Sequence, residues 1–259
     1  MAETSVRFDR AADYYDETRG HPPDVEARLG AFLAEAGGLD ASSHVLEVGI
    51  GTGRISLPLA REVGAVFGVD LSRPMLDRLR AKPGGGAVRL AESDAARLPF
   101  RSESFDAAIG VHVFHLIAGW REALDEVARV LRPGAPLLLA GDGRRLPELW
   151  DKWLERPEAK AVKDIGVPRE QIDSFLGGAG WRREGERRRL RFSRTISLGG
   201  TVEELENRIW SSTWQMDDEQ LAALVDTARK LLLDQYGTLD RTLEVETEFW
   251  VETHWPSER

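Results

Sequence analysis

Cysteine is absent from the 259 residues. Disulfides, thiolate metal ligands and a cysteine nucleophile are excluded together. Long apolar runs are missing too, and none approaches the roughly 20 residues that cross a bilayer. Met1 to Ser5 hold no basic segment followed by an apolar one, so a secretory signal is not expected and a cytoplasmic location is. Basic residues are outnumbered, 35 Lys+Arg against 44 Asp+Glu, for a formal charge of −9. Phosphate binding is dominated by Lys and Arg, so neither nucleic acid nor an anionic membrane surface is an expected partner. Internal repeats and low-complexity tracts are also lacking. What is there is ordinary for a soluble globular chain, with 42% hydrophobic and 31% charged residues. The length suits one large domain, or a domain with a cap.

The first stretch reads as helical. Residues 8–19 suggest a short helix ending near Gly20. A second follows Pro22 and Pro23, with Val25, Leu29, Phe32 and Leu33 on one face and Gly37-Gly38 closing it. From Ser43 the pattern changes. Apolar runs at 44–48, 65–69, 88–91, 105–111 and 137–140 alternate with helical segments, the last of these near 119–131. Parallel strands need such crossovers, so a parallel sheet with helices on both faces is predicted. Beyond it, helices are expected at 150–158, 168–176, 201–207 and 217–236. Strands are expected at 187–196 and 242–255. In the latter, Leu243, Val245, Thr247, Phe249 and Val251 alternate with Glu244, Glu246, Glu248, Trp250 and Glu252.

The strongest local signal is the glycine loop that follows the first strand. Glu47, Gly49, Gly51 and Gly53 lie between a strand and a helix. Glycines there let backbone approach a ligand closely, and the helix start beyond offers unpaired N–H groups. Asp70 ends the second strand about twenty residues on, suited to accept from both hydroxyls of a ribose. The spacing is G-x-G-x-G, whereas a dinucleotide fingerprint would need its third glycine at the position of Arg54. An acid two residues before Gly49 is hostile to a pyrophosphate and useful beside a cation.

A series of motifs in fixed order resembles the class I S-adenosylmethionine-dependent methyltransferases, most of all the small-molecule branch with quinone-biosynthesis and natural-product enzymes. The motifs are Val45 to Arg54 (VLEVGIGTGR), Gly68 to Ser72 with Met75, Glu92 to Phe100 (ESDAARLPF), Phe105 to His115 (FDAAIGVHVFH) and Arg129 to Gly134. Tyr15 to Arg19 (YDETR) is similar to a lid motif of that branch. The likeness covers roughly residues 8–142. It implies an α/β fold: a seven-stranded Rossmann-like sheet, mostly parallel with an antiparallel final strand, helices on both faces and a helical cap. The implied organisation is a helical lid at 1–42, a cofactor-binding α/β domain at 43–200 and 238–259, and a cap insertion at 201–237 contributing to the acceptor pocket.

The same resemblance implies S-adenosyl-L-methionine as cofactor. Gly49, Gly51 and Gly53 would bring backbone against it, and Glu47 would help hold its amino group. Asp70 would take the ribose diol, with Leu71 and Met75 against adenine. Asp94 and Ala95 would meet the adenine edge, Val111 would close the methionine side, and Tyr15 and Arg19 would cover the carboxylate. His112 and His115 follow the fourth strand, at the carboxyl edge where such sheets place ligands. Each either packs or faces solvent, or serves as the base for an acceptor proton. A His is frequent at the His115 position of the branch, often followed by a second His or an aromatic residue; here Leu116 follows.

The expected activity is methyl transfer to a small molecule through oxygen, nitrogen or activated carbon. The fourth strand is followed by Gly110-Val-His-Val rather than N/D-P-P-Y, which disfavours amino-methylation of adenine, cytosine or glutamine. Lack of cysteine excludes covalent attack on pyrimidine carbon 5. No acid cluster argues for a catalytic metal. Trp150, Trp153, Trp210 and Trp214 fall in the expected cap, consistent with an apolar or aromatic acceptor and equally with core packing. A non-catalytic module that senses S-adenosylmethionine or S-adenosylhomocysteine shares the cofactor site but needs no acceptor pocket. A nicotinamide-dependent oxidoreductase shares the sheet but wants the other glycine spacing. The run 182–194 holds seven Arg and two Glu. It is expected to place Arg188, Arg189, Arg191 and Arg194 opposite Glu244, Glu246, Glu248 and Glu252 as a cross-strand charge ladder. The sequence leaves the acceptor and the oligomeric state open.

Overall fold

The computed structural model describes residues 4–143, 152 and 166–256. Seven strands form one sheet in the order β3-β2-β1-β4-β5-β7-β6. They are β1 (His44–Val48), β2 (Ala65–Asp70), β3 (Val88–Glu92), β4 (Ala107–Val111), β5 (Leu137–Asp142), β6 (Trp181–Ser197) and β7 (Thr242–Pro256). The pairs β1–β2, β1–β4, β2–β3 and β4–β5 are parallel, and the end strands complete the sheet antiparallel. The central strands read as unbroken apolar runs because a parallel sheet is covered on both faces; β4 and β5 are buried almost throughout.

Internal contacts divide the chain into two units, Met1–Gly141 with Gly166–Leu190 and Phe249–Arg259, and Asp142–Ile165 with Arg191–Glu248. Residues 1–42 fall in the first and 201–237 in the second. In the first unit lie α1 (Tyr15–Arg19), α2 (Pro23–Gly37), α3 (Ser56–Leu59), α4 (Arg73–Ala81), α5 (Trp120–Val130) and α6 (Arg169–Gly178). In α5, Trp120, Ala123, Leu124, Val127 and Val130 are buried. They recur at three and four residues, the spacing that turns one face to a core. They join Leu46, Phe105, Leu137 and, from α6, Ile172 and Leu176 in one cluster. Two expectations are trimmed. The helix expected over 8–19 is a 3₁₀ turn at Asp9–Ala11 and then α1, and the helix after the glycine loop is the single turn α3.

The second unit holds α7 (Leu198–Glu206) and α8 (Asp218–Tyr236) around its own core, which includes Leu198, Val202, Leu224 and Leu232. Asp217 and Gln220 close a reciprocal capping box at the start of α8, the arrangement that satisfies two of the orphan N–H groups there. Trp210 Nε1 donates to Glu204 Oε2 at 2.8 Å and Trp214 Nε1 to the Arg208 carbonyl at 2.8 Å, so both rings are engaged within this unit. Trp150, Trp153 and the helix expected at 150–158 lie outside the described residues.

The charge ladder is corrected at Glu252 and Arg188. Glu252 does not continue the outward-facing row of β7; it is 2% exposed. Arg183 Nη1 donates to its Oε1 at 2.9 Å, Arg187 Nε donates to the same oxygen at 3.0 Å, and Arg169 Nη2 bonds Oε2. Arg188 pairs instead with Glu35 of α2 at 2.5 Å. Three guanidiniums arriving from α6 and β6 provide what strict alternation denies this carboxylate, namely charge-assisted partners for both oxygens.

Candidate functional site

The glycine loop bends over the end of β2. Gly49, Gly51 and Gly53 have φ of 68°, 55° and 79°, in the left-handed region where a side chain is strained. The N–H groups of Gly49 and Ile50 both donate to the Val69 carbonyl, at 2.9 and 3.0 Å. A Cβ on Gly49 would strike the Val113 side chain and one on Gly53 the Leu79 side chain, whereas one on Gly51 would meet no protein atom. Gly53 is therefore required for packing against α4, and open space lies beside Gly51.

Asp70 fixes the loop to β2. Its Oδ2 accepts from Gly51 N–H and its Oδ1 from Ser72 N–H, both at 2.8 Å. Burial raises its pKa, and those N–H groups work the other way. Each oxygen keeps acceptor capacity for a further partner. Beneath the loop, Glu47 is buried and accepts from Ser56 Oγ. Desolvation pushes its pKa up to about 8, against the opposing effects of Ser56 and Arg54.

The loop walls a cleft of about 690 Å³, counted to its open mouth. Gly49, Gly51, Asp70, Leu71, Met75, Asp94, Ala95, Val111 and His112 are among the residues that line it. Asp94 accepts from Ala96 N–H at 2.9 Å, capping the turn Ala95–Arg97. Tyr15 closes the cleft together with Ser5, Val6 and Phe8, three residues that sequence reasoning missed. The sequence offered only the apolar character of Val6 and Phe8 as a signal. This N-terminal strap is tied down: Val6 N–H donates to the Leu116 carbonyl at 3.0 Å and Ala118 N–H to Ser5 Oγ at 3.1 Å. Asp16 in α1 accepts from Thr52 Oγ1 at 2.6 Å and from Lys82 Nζ at 2.7 Å. Arg19, Glu47, Gly53 and His115 are not among the residues that line the cleft.

His112 and Val113 also line a second cavity, of about 700 Å³. His115 opens onto this one. It is half-buried, and desolvation, aided by His112, lowers its pKa to about 4. Its imidazole is thus neutral at neutral pH. His112 has φ of 49°, and a Cβ on Gly141 would come within 2.6 Å of its ring and 2.7 Å of Trp250. The bare backbone of Gly141 makes room for both rings.

Comparison with known proteins supplies the family. Residues 46–139 match a methyltransferase domain. The malonyl-[acyl-carrier protein] O-methyltransferase of Salmonella typhimurium is 32% identical over 182 residues, 69% of this chain and 68% of that protein. The chain belongs to the class I S-adenosylmethionine-dependent methyltransferases. An uncharacterized protein of Mycobacterium tuberculosis is 34% identical over 116 residues, 44% of this chain; the alignment spans only 42% of that relative's length. The fold is shared with a methyltransferase structure from Bacillus halodurans, at a TM-score of 0.61 and 20% identity, over 89% of this chain and 99% of that one.

The cleft fits the donor this methyltransferase family uses. Its lining holds two carboxylates, Asp70 and Asp94, and neither lysine nor arginine. That polarity suits a cationic adenosyl compound and opposes a pyrophosphate. Elsewhere, among the described residues, Asp173, Glu252 and His254 stand close enough to share a cation. The three arginines already paired with Glu252 make that position unfavourable for a second positive charge. No helix among the described residues is long and apolar enough to cross a membrane.

Proposed function

We infer that this protein transfers a methyl group from S-adenosylmethionine to a small-molecule acceptor at oxygen, nitrogen or activated carbon. One observation carries the reading: a left-handed glycine loop pinned to Asp70, in a cleft lined by carboxylates without Lys or Arg. The bound donor supplies an electrophilic methyl on a positively charged sulfur. The chain binds, orients and excludes water. Asp70 accepts from the ribose hydroxyls with the capacity its two backbone bonds leave. Leu71 and Met75 pack on adenine while Asp94 and Ala95 meet its polar edge. Gly49, Gly51 and the backbone at Val111 flank the methionine part, and Glu47 acts on its amino group from beneath the loop. The strap with Tyr15 excludes water. His115, neutral and facing the neighbouring cavity, takes the acceptor's proton on an imidazole nitrogen.

Titration calorimetry with S-adenosylmethionine, S-adenosylhomocysteine and NAD tests the reading. Micromolar binding of the first two and none of NAD is expected. Binding of NAD alone, or of none, would overturn it.

A further inference from the structure

The second cavity is the electrostatic opposite of the first. Its lining holds Arg169 and Arg187 and no Asp or Glu. We propose that it binds the anionic group, carboxylate or phosphate, of a planar apolar molecule, between these two arginines and Trp250. That this molecule is the methyl acceptor rests on the methyl-transfer reading; the anion site itself does not.

The arginines are set in place before any ligand arrives. Arg187 stands over the Trp250 ring at 4.2 Å from its centroid and Arg169 at 5.6 Å. Glu252 accepts from Arg187 Nε and Arg169 Nη2, and Arg169 Nε goes to Asp173 Oδ1 at 2.7 Å. Nη1 of either arginine takes no part in these bonds. Arg183, Arg169 and Arg187 set three positive charges against the two of Glu252 and Asp173, leaving one in excess. The side chains of Arg169 and Arg187 keep 30% and 35% of their surface exposed, so they are reachable from the cavity they line. A guanidinium held over an aromatic face and anchored by a carboxylate is prepared for charge-assisted contact with a carboxylate or phosphate. Buried Glu252 fixes the forks without entering the cavity's lining. Phe114, Leu139 and Ile172 supply an apolar wall for a ring or chain. Every charged or titratable residue of the lining is basic: Arg169 from α6, Arg187 from β6, and His112 and His115 after β4. The cavities share His112 and Val113, so an occupant anchored here borders the donor cleft.

The test uses the full chain, with and without saturating S-adenosylhomocysteine. Three probes of one shape, 2-naphthoate, 2-naphthyl phosphate and neutral 2-naphthamide, are titrated by calorimetry. At least one anion is expected to bind about tenfold or more tighter than the amide, the scale of one charge-assisted contact. Which anion wins separates a carboxylate site from a phosphate site. Arg187→Gln and Arg169→Gln should each erase most of that preference and leave S-adenosylhomocysteine affinity within about twofold. Equal binding of anions and amide by the wild-type chain overturns the proposal without recourse to a variant. A preference that survives both substitutions also overturns it, because the anion then sits elsewhere. If the anion preference holds but S-adenosylhomocysteine does not bind, the methyl-transfer reading fails and the anion site stands.

Discussion

The two cavities on either side of His112 and Val113 carry opposite charge. One is lined by Asp70 and Asp94 without Lys or Arg, the other by Arg169 and Arg187 without Asp or Glu. The difference shows two uses of a carboxylate drawn out of bulk water, half-buried at Asp70 and buried at Glu252. Asp70 is held by two backbone N–H groups, uncharged partners that leave its negative charge facing the cleft. Glu252 is held by three guanidiniums that consume its charge and are themselves positioned by it. Removing the first should therefore cost ligand affinity, and removing the second should cost fold stability. That separation can be broken experimentally.

The largest effect is expected at Asp70. Asp70→Ala removes the ribose acceptor and leaves Gly51 N–H unpaired. S-adenosylhomocysteine affinity should fall by about 100-fold, from two lost hydrogen bonds to a charged group. A loss under about threefold by calorimetry would undo the ribose assignment. His115→Gln comes next. Turnover should drop by about 100-fold, the lower end of general-base help, with S-adenosylhomocysteine binding unchanged; full activity would retire His115 as the base. Its lowered pKa also has a stability consequence. Below about pH 6.5 the unfolded chain takes up a proton that folded His115 refuses until about pH 4. Stability falls as pH drops through that window, and His115→Gln should flatten the decline measured by urea unfolding.

Glu252→Gln should lower unfolding free energy by about 2 kcal/mol, below the full cost of breaking a buried pair because its arginines are partly exposed. S-adenosylhomocysteine affinity should stay put, and a fall in affinity equal to that of Asp70→Ala would abolish the contrast. Burial works to raise the Glu252 pKa, but Arg169, Arg187 and Arg183 prevail and hold it below the ordinary value. Its contribution is present above about pH 4.5 and lost as pH falls through the lowered value. The smallest signal is a proton. Glu47, with its pKa near 8, is mostly protonated at pH 7. If it ionises toward the donor's amino group, binding releases close to one proton per chain, read as a dependence of calorimetric heat on buffer ionisation enthalpy. No such dependence would remove Glu47 from that role.

The sheet was legible because its signals are local. The run from His44 to Val48 and the glycines after it lie within a few residues of one another, and apolar spacing at three and four marks α5 by itself. What stayed hidden depends on partners distant in sequence. Period-2 reading turns Glu252 outward, and only Arg169, Arg183 and Arg187, between 65 and 83 residues away, account for its burial. Gly53 reads as a ligand glycine, yet the contact that demands it is Leu79 of α4. The strap residues Ser5, Val6 and Phe8 have no periodicity, because an irregular segment tied down by two hydrogen bonds needs none.

That strap also bears on time. A segment bonded to Leu116 and Ala118, followed by a helix latched through Asp16 to Lys82, lends Ser5, Val6, Phe8 and Tyr15 to the lining of the cleft proposed to hold the donor. On the proposed function, exit of the spent donor would require that latch to break, and such an opening, rather than bond making, would then set the pace of each cycle. Mixed rapidly with both substrates, the enzyme would make its first product in a burst and settle to a slower steady rate, and loosening Lys82 would quicken the second phase while sparing the first.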